Sequence, residues 1–357
     1  MLQGKDVQLV LDDGTIFNGK SFGYEQSSAG EIVFNTGMVG YPESLSDPSY
    51  SGQILAITYP IVGNYGIPSE EEVDGISSFF ESEKVQASGL IISDYAEQHS
   101  HWNAKKSLGE WLKENKVPGI CGVDTRELTK ILREKGSMLG KIVFPKEDIP
   151  FYDPASENQV AKKSAKEVKV YGNGEKNVVL IDCGVKLNII RCLLKRGVKV
   201  TSVPWNYEFS NIKYDGILIS NGPGNPEYCE PAAVNIRKAM DTGKPIFGIC
   251  MGHQLLGRAS GANTFKLKYG HRSLNQPVRL AGTNSCFITS QNHGYAVDTN
   301  TLSEDWEPLF VNMNDGTNEG IKHKTKPFFS VQFHPEAAGG PTDTSFLFDD
   351  FFILLNR

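Results

Sequence analysis

The carboxyl-terminal half of the chain alternates short apolar runs with stretches of helical spacing. Val178-Val179-Leu180-Ile181 is an unbroken run of branched apolar residues, the pattern of a strand covered on both faces. Helical spacing follows from about Val185 to Arg196 and stops at Gly197. Strands then read at Val198–Val203 and Gly216–Ser220, a helix at Pro231–Thr242 closed by Gly243, and another strand at Pro245–Ile249. This alternation predicts an α/β fold with a doubly wound, mostly parallel sheet. Beyond residue 265 the pattern turns β-like at Val278–Leu280, Cys286–Ser290, Pro308–Asn312 and Phe328–Phe333. An apolar helix is expected at Thr342–Leu355.

The amino-terminal pattern differs. Gln8–Leu11 and Thr15–Lys20 flank the turn Asp12-Asp13-Gly14 as a hairpin. Turn signals recur at Asn35-Thr36-Gly37, Gly40-Tyr41-Pro42, Asp47-Pro48-Ser49 and Gly63-Asn64-Tyr65-Gly66, with apolar runs such as Ile54–Thr58 and Leu90–Ile92 between them. Helical spacing over Trp102–Lys116 puts Leu108, Trp111 and Leu112 on one stripe. A second helix is predicted over Asp124–Glu134, with Asp124 as cap, Glu127 in the capping-box position and Gly136 as stop. Residues 146–176 are polar and Lys/Glu-rich. We therefore expect a separate amino-terminal mixed α/β domain (1–145), a linker (146–176) and the doubly wound domain (177–357).

Composition narrows the class. The 357 residues carry a net charge of −6 with no basic block, so neither nucleic acid nor a membrane surface is an expected partner. No apolar run approaches the roughly 18 residues of a membrane span. The amino terminus lacks a signal-peptide core and an Arg/Ser-rich transit pattern. A cytoplasmic location is expected, or the mitochondrial matrix if a presequence has been removed. The six cysteines are scattered, form no C-x-x-C and have no zinc-ligand spacing, so free thiols and no metal are expected.

One cysteine stands apart. In Gly248-Ile249-Cys250-Met251-Gly252 a buried strand meets a helix through a sharp turn with glycines on both sides. A thiol there sits at a strand's carboxyl end and a helix's amino end, where thiolate is favoured. The alternative is an inert core cysteine. A thiol nucleophile needs a base. Of seven histidines, His334 directly follows the strand ending at Phe333, and Pro335 then disfavours helix. Glu336, two residues on, can orient its ring. His253, on the elbow helix, is the weaker candidate. The loop Ser220-Asn221-Gly222-Pro223-Gly224-Asn225-Pro226 follows a neighbouring strand, and Gly224 and Met251 N–H groups are natural oxyanion donors. An ordinary βα turn is the bland alternative, and no phosphate-loop motif is present.

FGICMGHQLL, SNGPGNP and VQFHPE together resemble the class I, triad-type glutamine amidotransferases. The stretch from Asn35 to Gly66, Gly122-Val123-Asp124-Thr125-Arg126 and Gln291-Asn292-His293-Gly294-Tyr295 resemble the small subunit of carbamoyl phosphate synthetase, most of all the eukaryotic fused form. The resemblance implies hydrolysis of L-glutamine to glutamate and ammonia by Cys250, His334 and Glu336 through a γ-glutamyl thioester. Ammonia would pass through a tunnel to a synthetase large subunit or fused domain, on a pyrimidine or an arginine route. That partner would use bicarbonate, ATP and Mg2+, and this chain would hold no cofactor. Ser49, Gly222, Gly224, Met251, Gln254, Asn292, Gly294 and Tyr295 are implied glutamine contacts. Met251 and Tyr295 stand where relatives have leucine and phenylalanine, both mild changes. Ammonia-dependent relatives lose the cysteine that this chain keeps. Two rivals are a stand-alone γ-glutamyl hydrolase or cysteine peptidase on the same scaffold, and a non-catalytic regulatory scaffold.

Overall fold

A computed structural model describes residues 4–357. The chain divides into two compact units, Met1–Ser156 and Glu157–Arg357.

In the first unit, seven strands close into a barrel. Their order around it is Asp6–Leu11, Met138–Val143, Ser28–Asn35, Gln53–Ile57, Gly89–Ile91, Gly119–Cys121 and Ile16–Ser21. Strict alternation explains the first strand, since Val7, Leu9 and Leu11 are buried while Asp6 and Gln8 are exposed. The expected hairpin forms, with Gly14 taking the left-handed conformation (φ 87°) that its turn requires. The helix Thr125–Lys135 buries Leu128 and Leu132 on the barrel core. Its cap is Asp124, which accepts the Glu127 N–H at 2.8 Å. The other helix is shorter than expected, Leu108–Glu114, because the Ser107/Glu110 capping box starts it late. Upstream, the Lys106 carbonyl accepts from Ile67 N–H at 2.9 Å, and Trp102 is 85% exposed.

The second unit is built on a ten-stranded sheet. Its five parallel strands lie in the order Lys199–Pro204, Asn177–Asp182, Gly216–Ile219, Ile246–Ile249 and Phe328–Val331. Val179, Ile181, Ile217 and Ile219 meet Ile236 and Leu255, from the helices Glu230–Met240 and Met251–Ala259, on one face. On the other face Phe247 packs against Phe348 and Phe351 of the helix Phe346–Leu355, with ring centres 5.6 and 5.7 Å apart. Arg196 ties that helix, through Asp349 at 2.7 Å, to the helix Leu187–Leu194. Helices therefore cover both faces, as the alternation predicts.

Two features depart from the expected pattern. The parallel strands are extended antiparallel by Asn318–His323, Trp306–Asn312 and the long hairpin Thr264–Leu280/Cys286–Val297. Residues 146–176 hold a 3-10 turn (Pro154–Ser156), a short helix (Gln159–Lys163) and an edge strand. That strand, Lys169–Tyr171, pairs antiparallel with Lys199–Pro204, so much of the expected linker is part of the second unit.

Candidate active site

The elbow geometry follows from two glycines. A Cβ on Gly248 would lie 2.5 Å from Gly252 O, and one on Gly252 would lie 2.1 Å from Ile219 O. Both are close approaches of helix to strand that only glycine permits. Between them Cys250 is held at φ 54°, ψ −102°, a costly backbone for a residue with a side chain. Its N–H donates to Val331 O at 2.9 Å, which binds the turn to the neighbouring strand. Met251 and Gly252 open the helix, where N–H groups have no intrahelical acceptor. The thiol is 2% exposed and donates to Asn292 O at 3.7 Å.

His334 lies three residues beyond Val331, and its N–H donates to Ser290 O at 2.9 Å. The ring is buried. Its Nδ1–H donates to Glu336 Oε1 at 2.7 Å. Nε2 makes no hydrogen bond, although the Cys250 side chain is close enough to bear on its protonation. Burial disfavours the charged ring, but the Glu336 carboxylate outweighs it and Lys186 opposes only in part, so His334 is raised to about 10. Burial would raise Glu336, yet Lys186 and His334 hold it down to about 2. The Lys186 ammonium lies 2.9 Å from the same Glu336 oxygen and donates to Ala337 O at 3.2 Å. Asn188 donates through its amide to Glu336 O. The structure thus brings the three residues read from the motifs together and adds Lys186 and Asn188.

The glycine-rich loop is stitched to the turn that presents Lys186. Asn221 Oδ1 accepts the Lys186 N–H at 2.9 Å, and Ser220 Oγ accepts the Cys183 N–H at 2.9 Å. A Cβ on Gly222 would lie 2.1 Å from Cys183 O, and Gly224 takes φ 86° beside Gln159. Gln254 donates through Nε2 to Tyr295 O at 3.0 Å and Gln332 Oε1 at 3.1 Å, while its Oε1 is buried with no partner. Asn292, Gly294 and Tyr295 lie on the strand Cys286–Val297. Ser49 belongs to the first unit, buried in the 3-10 turn Pro48–Tyr50, where Asp47 accepts its N–H at 2.8 Å. His253, the weaker base candidate, is fully buried, is paired through Nδ1 with Ser330 Oγ at 2.9 Å, and is lowered to about 3 by burial.

His271, His293 and Glu319 form a buried cluster whose ligand-type atoms lie within 4.8 Å of one another. Its Glu319 Oε1 is already the acceptor of Asn312 Nδ2–H at 2.9 Å, and Asn312 Oδ1 accepts Asn314 N–H at 2.8 Å, which fixes that amide. The donor set is therefore engaged in hydrogen bonds of its own. All six cysteines stand as free thiols. Among the described residues, no helix is long and apolar enough to cross a membrane.

Lys186 and Asn188 were not legible as site residues. Their signal is weak: a lysine at the carboxyl end of an apolar strand, in the same ring of strand ends as Cys250.

Residues 9–142 match the carbamoyl-phosphate synthase small chain, CPSase domain, and residues 179–354 match the class-I glutamine amidotransferases. The chain is 52% identical to the mitochondrial carbamoyl-phosphate synthase (ammonia) of Homo sapiens over 361 residues, covering 100% of this chain and 24% of that protein. It is 52% identical to the multifunctional protein CAD of Squalus acanthias over 350 residues, 96% of this chain and 16% of that one. It is 49% identical to the multifunctional protein URA2 of Saccharomyces cerevisiae over 382 residues, 97% and 17%. The chain thus spans a quarter or less of the length of these relatives. It joins a domain of the carbamoyl-phosphate synthase small-chain family to a domain of the class-I glutamine amidotransferase family.

Proposed function

We propose that the chain is the glutaminase part of a glutamine-dependent carbamoyl phosphate synthetase. The observation that carries this is the buried line from Lys186 through Glu336 to His334, ending in an unpartnered Nε2 beside the strained Cys250. In the proposed reaction the thiol proton has passed to His334 Nε2, and the Cys250 thiolate attacks the side-chain amide carbon of glutamine. The oxyanion is held by the N–H groups of Met251 and Gly224. The C–N bond breaks, and ammonia leaves with the proton from His334. Water, deprotonated by His334, then cleaves the γ-glutamyl thioester, releasing glutamate and restoring the thiol.

The unpartnered Gln254 Oε1 supports a contact to the substrate's ammonium group. Asn292, Gly294, Tyr295 and Gly222, all in the second unit, complete the proposed glutamine contacts. Ammonia would be passed to a synthetase subunit or fused domain that uses bicarbonate, ATP and Mg2+, with no cofactor in this chain. The free thiols favour a reducing compartment, and we place the protein in the cytoplasm, with the mitochondrial matrix as the alternative. The human relative is named for ammonia. Cys250 and Gln254 are what favour glutamine use here.

Cys250→Ser tests the reading. It should abolish glutamine hydrolysis and leave ammonia-driven carbamoyl phosphate synthesis in the assembled enzyme intact. Retained glutaminase activity would sink the assignment.

A further inference from the structure

The polar cluster behind the strand segment Gln291–Tyr295 has a directional structure. His271 is the cross-strand partner of His293, with rings edge to face at 4.9 Å. His271 Nε2 lies 2.8 Å from Asp315 Oδ2, and its Nδ1 lies 3.2 Å from Glu319 Oε1. Both ring nitrogens therefore face carboxylate oxygens. A neutral imidazole has a single N–H and satisfies one of them; a second proton, on the ring or on Glu319, is needed for both. Glu319 is fully buried, and its Oε2 accepts Gln291 Nε2–H at 3.0 Å. Gln291 and His293 flank Asn292. His293 donates Nδ1–H to Tyr295 O at 2.8 Å, the same carbonyl that accepts from Gln254 at 3.0 Å. The chain of contacts thus runs from Asp315, whose side chain is 42% exposed, to the residues around the proposed glutamine pocket, and the thiol meets that segment through the Asn292 carbonyl.

We propose that Asp315, His271 and Glu319 form a positioning relay that sets glutamine affinity, with one proton shared between His271 and Glu319 keeping the Gln291–Tyr295 segment in place. This rests on the glutamine site proposed above. The relay residues act through Gln291 and His293 and are not catalytic. Without the shared proton, the one N–H left on His271 can serve Asp315 or Glu319 but not both, and the carboxylate it leaves is relieved by shifting the neighbouring amides or admitting water. Either response moves the strand that carries Asn292 and Tyr295.

The charged and titratable groups around His271 are Asp315 from the turn before Asn318–His323, Glu319 from that strand, His293 from Cys286–Val297, and Arg272 beside it. Burial pushes the His271 ring toward neutrality, but Glu319 and Asp315 outweigh it and raise its pKa; burial raises Glu319 as well. Both shifts hold the proton to higher pH, so the relay fails as pH rises.

The test uses the full chain. Glutaminase KM and kcat are measured from about pH 6 to about pH 10 for wild type, His271→Gln, Glu319→Gln and Asp315→Asn, with 15N-histidine NMR of the ring nitrogens. Both buried substitutions should raise KM for glutamine about tenfold while kcat stays within about threefold. Wild-type KM should climb on the alkaline side. Asp315→Asn, at the solvent end, should bring that rise to lower pH, in step with a lower titration of the His271 nitrogens. It stays informative if the buried variants do not fold. An active wild type with KM unchanged in Asp315→Asn, and with kcat falling in parallel with 1/KM in the buried variants, overturns the relay alone. A wild-type chain that neither turns over glutamine nor is protected by it from alkylation at Cys250 overturns the glutamine site as well.

Discussion

Lys186 and His334 meet on one oxygen: the ammonium lies 2.9 Å and Nδ1 lies 2.7 Å from Glu336 Oε1. The Lys186 and Glu336 side chains are 6% and 0% exposed, so neither charge has water to fall back on. Removing the ammonium leaves a buried carboxylate shared with His334 alone. Lys186→Met should cost about 3 kcal/mol of stability. It should also lower kcat/KM for glutamine by about tenfold or more, because Glu336 orients the base. Thermal unfolding and steady-state kinetics check both. Values within twofold of wild type, with an unchanged Tm, would show that the lysine is a bystander.

The same cluster fixes a pH window for stability. Glu336 is held below its ordinary value of 4.5, at about 2, so its contribution is complete above 4.5 and is lost as pH falls toward about 2. His334 is raised from 6.5 to about 10, so its contribution is complete below 6.5 and is lost as pH rises through about 10. Both should be fully present between these limits, with loss on the order of 3 kcal/mol at the acid end. Unfolding in urea across pH, for wild type and Glu336→Gln, measures it. The variant should show the flatter acid limb, and identical acid limbs would refute the pairing.

Cys250 tests the strain at the elbow. At φ 54° a residue with a Cβ is disfavoured, so Cys250→Gly should be about 1 kcal/mol more stable than Cys250→Ala, with both inactive on glutamine. Comparing the two variants cancels the loss of the sulfur. Equal melting temperatures would mean that the turn is relaxed in solution.

Gly252 has no such freedom. Its Cβ position is 2.1 Å from Ile219 O, a backbone atom of a central strand. Gly252→Ala should cost about 2–3 kcal/mol and push the helix that starts at Met251 away from the sheet. Loss of Cys250 alkylation rate together with a lower Tm is the expected result. A variant with wild-type Tm and labelling would show that the helix moves without penalty.

How much of this was legible depended on sequence distance. The parallel strands were visible because Val178–Ile181 and Ile246–Ile249 are unbroken apolar runs. Cys250 announced itself through the glycines at 248 and 252, and His334 through its place just after Phe328–Val331. The long hairpin was not legible. Its register breaks between Lys266 and His271 and between Ser273 and Gln276, so period-2 alternation fails across it. Lys186 reaches Glu336 across 150 positions of sequence. Nothing in the sequence marks His271 and Glu319, since what buries them is the packing of strands that are distant along the chain. Barrel closure was also hidden, because its decisive pairing joins Asp6–Leu11 to Met138–Val143.

That last pairing bears on how the first unit is made during translation. Its opening strand leaves the ribosome early, but one of its two neighbours in the sheet is not synthesised until residue 143. Until then both it and Ser28–Asn35 present bare hydrogen-bonding edges, the kind that recruit other chains. Closure is a contact between distant parts of the polymer, slow by the loop it must draw together. A nascent chain halted before Met138 is therefore exposed to aggregation, and the strand that ends the unit is also the one that makes it safe.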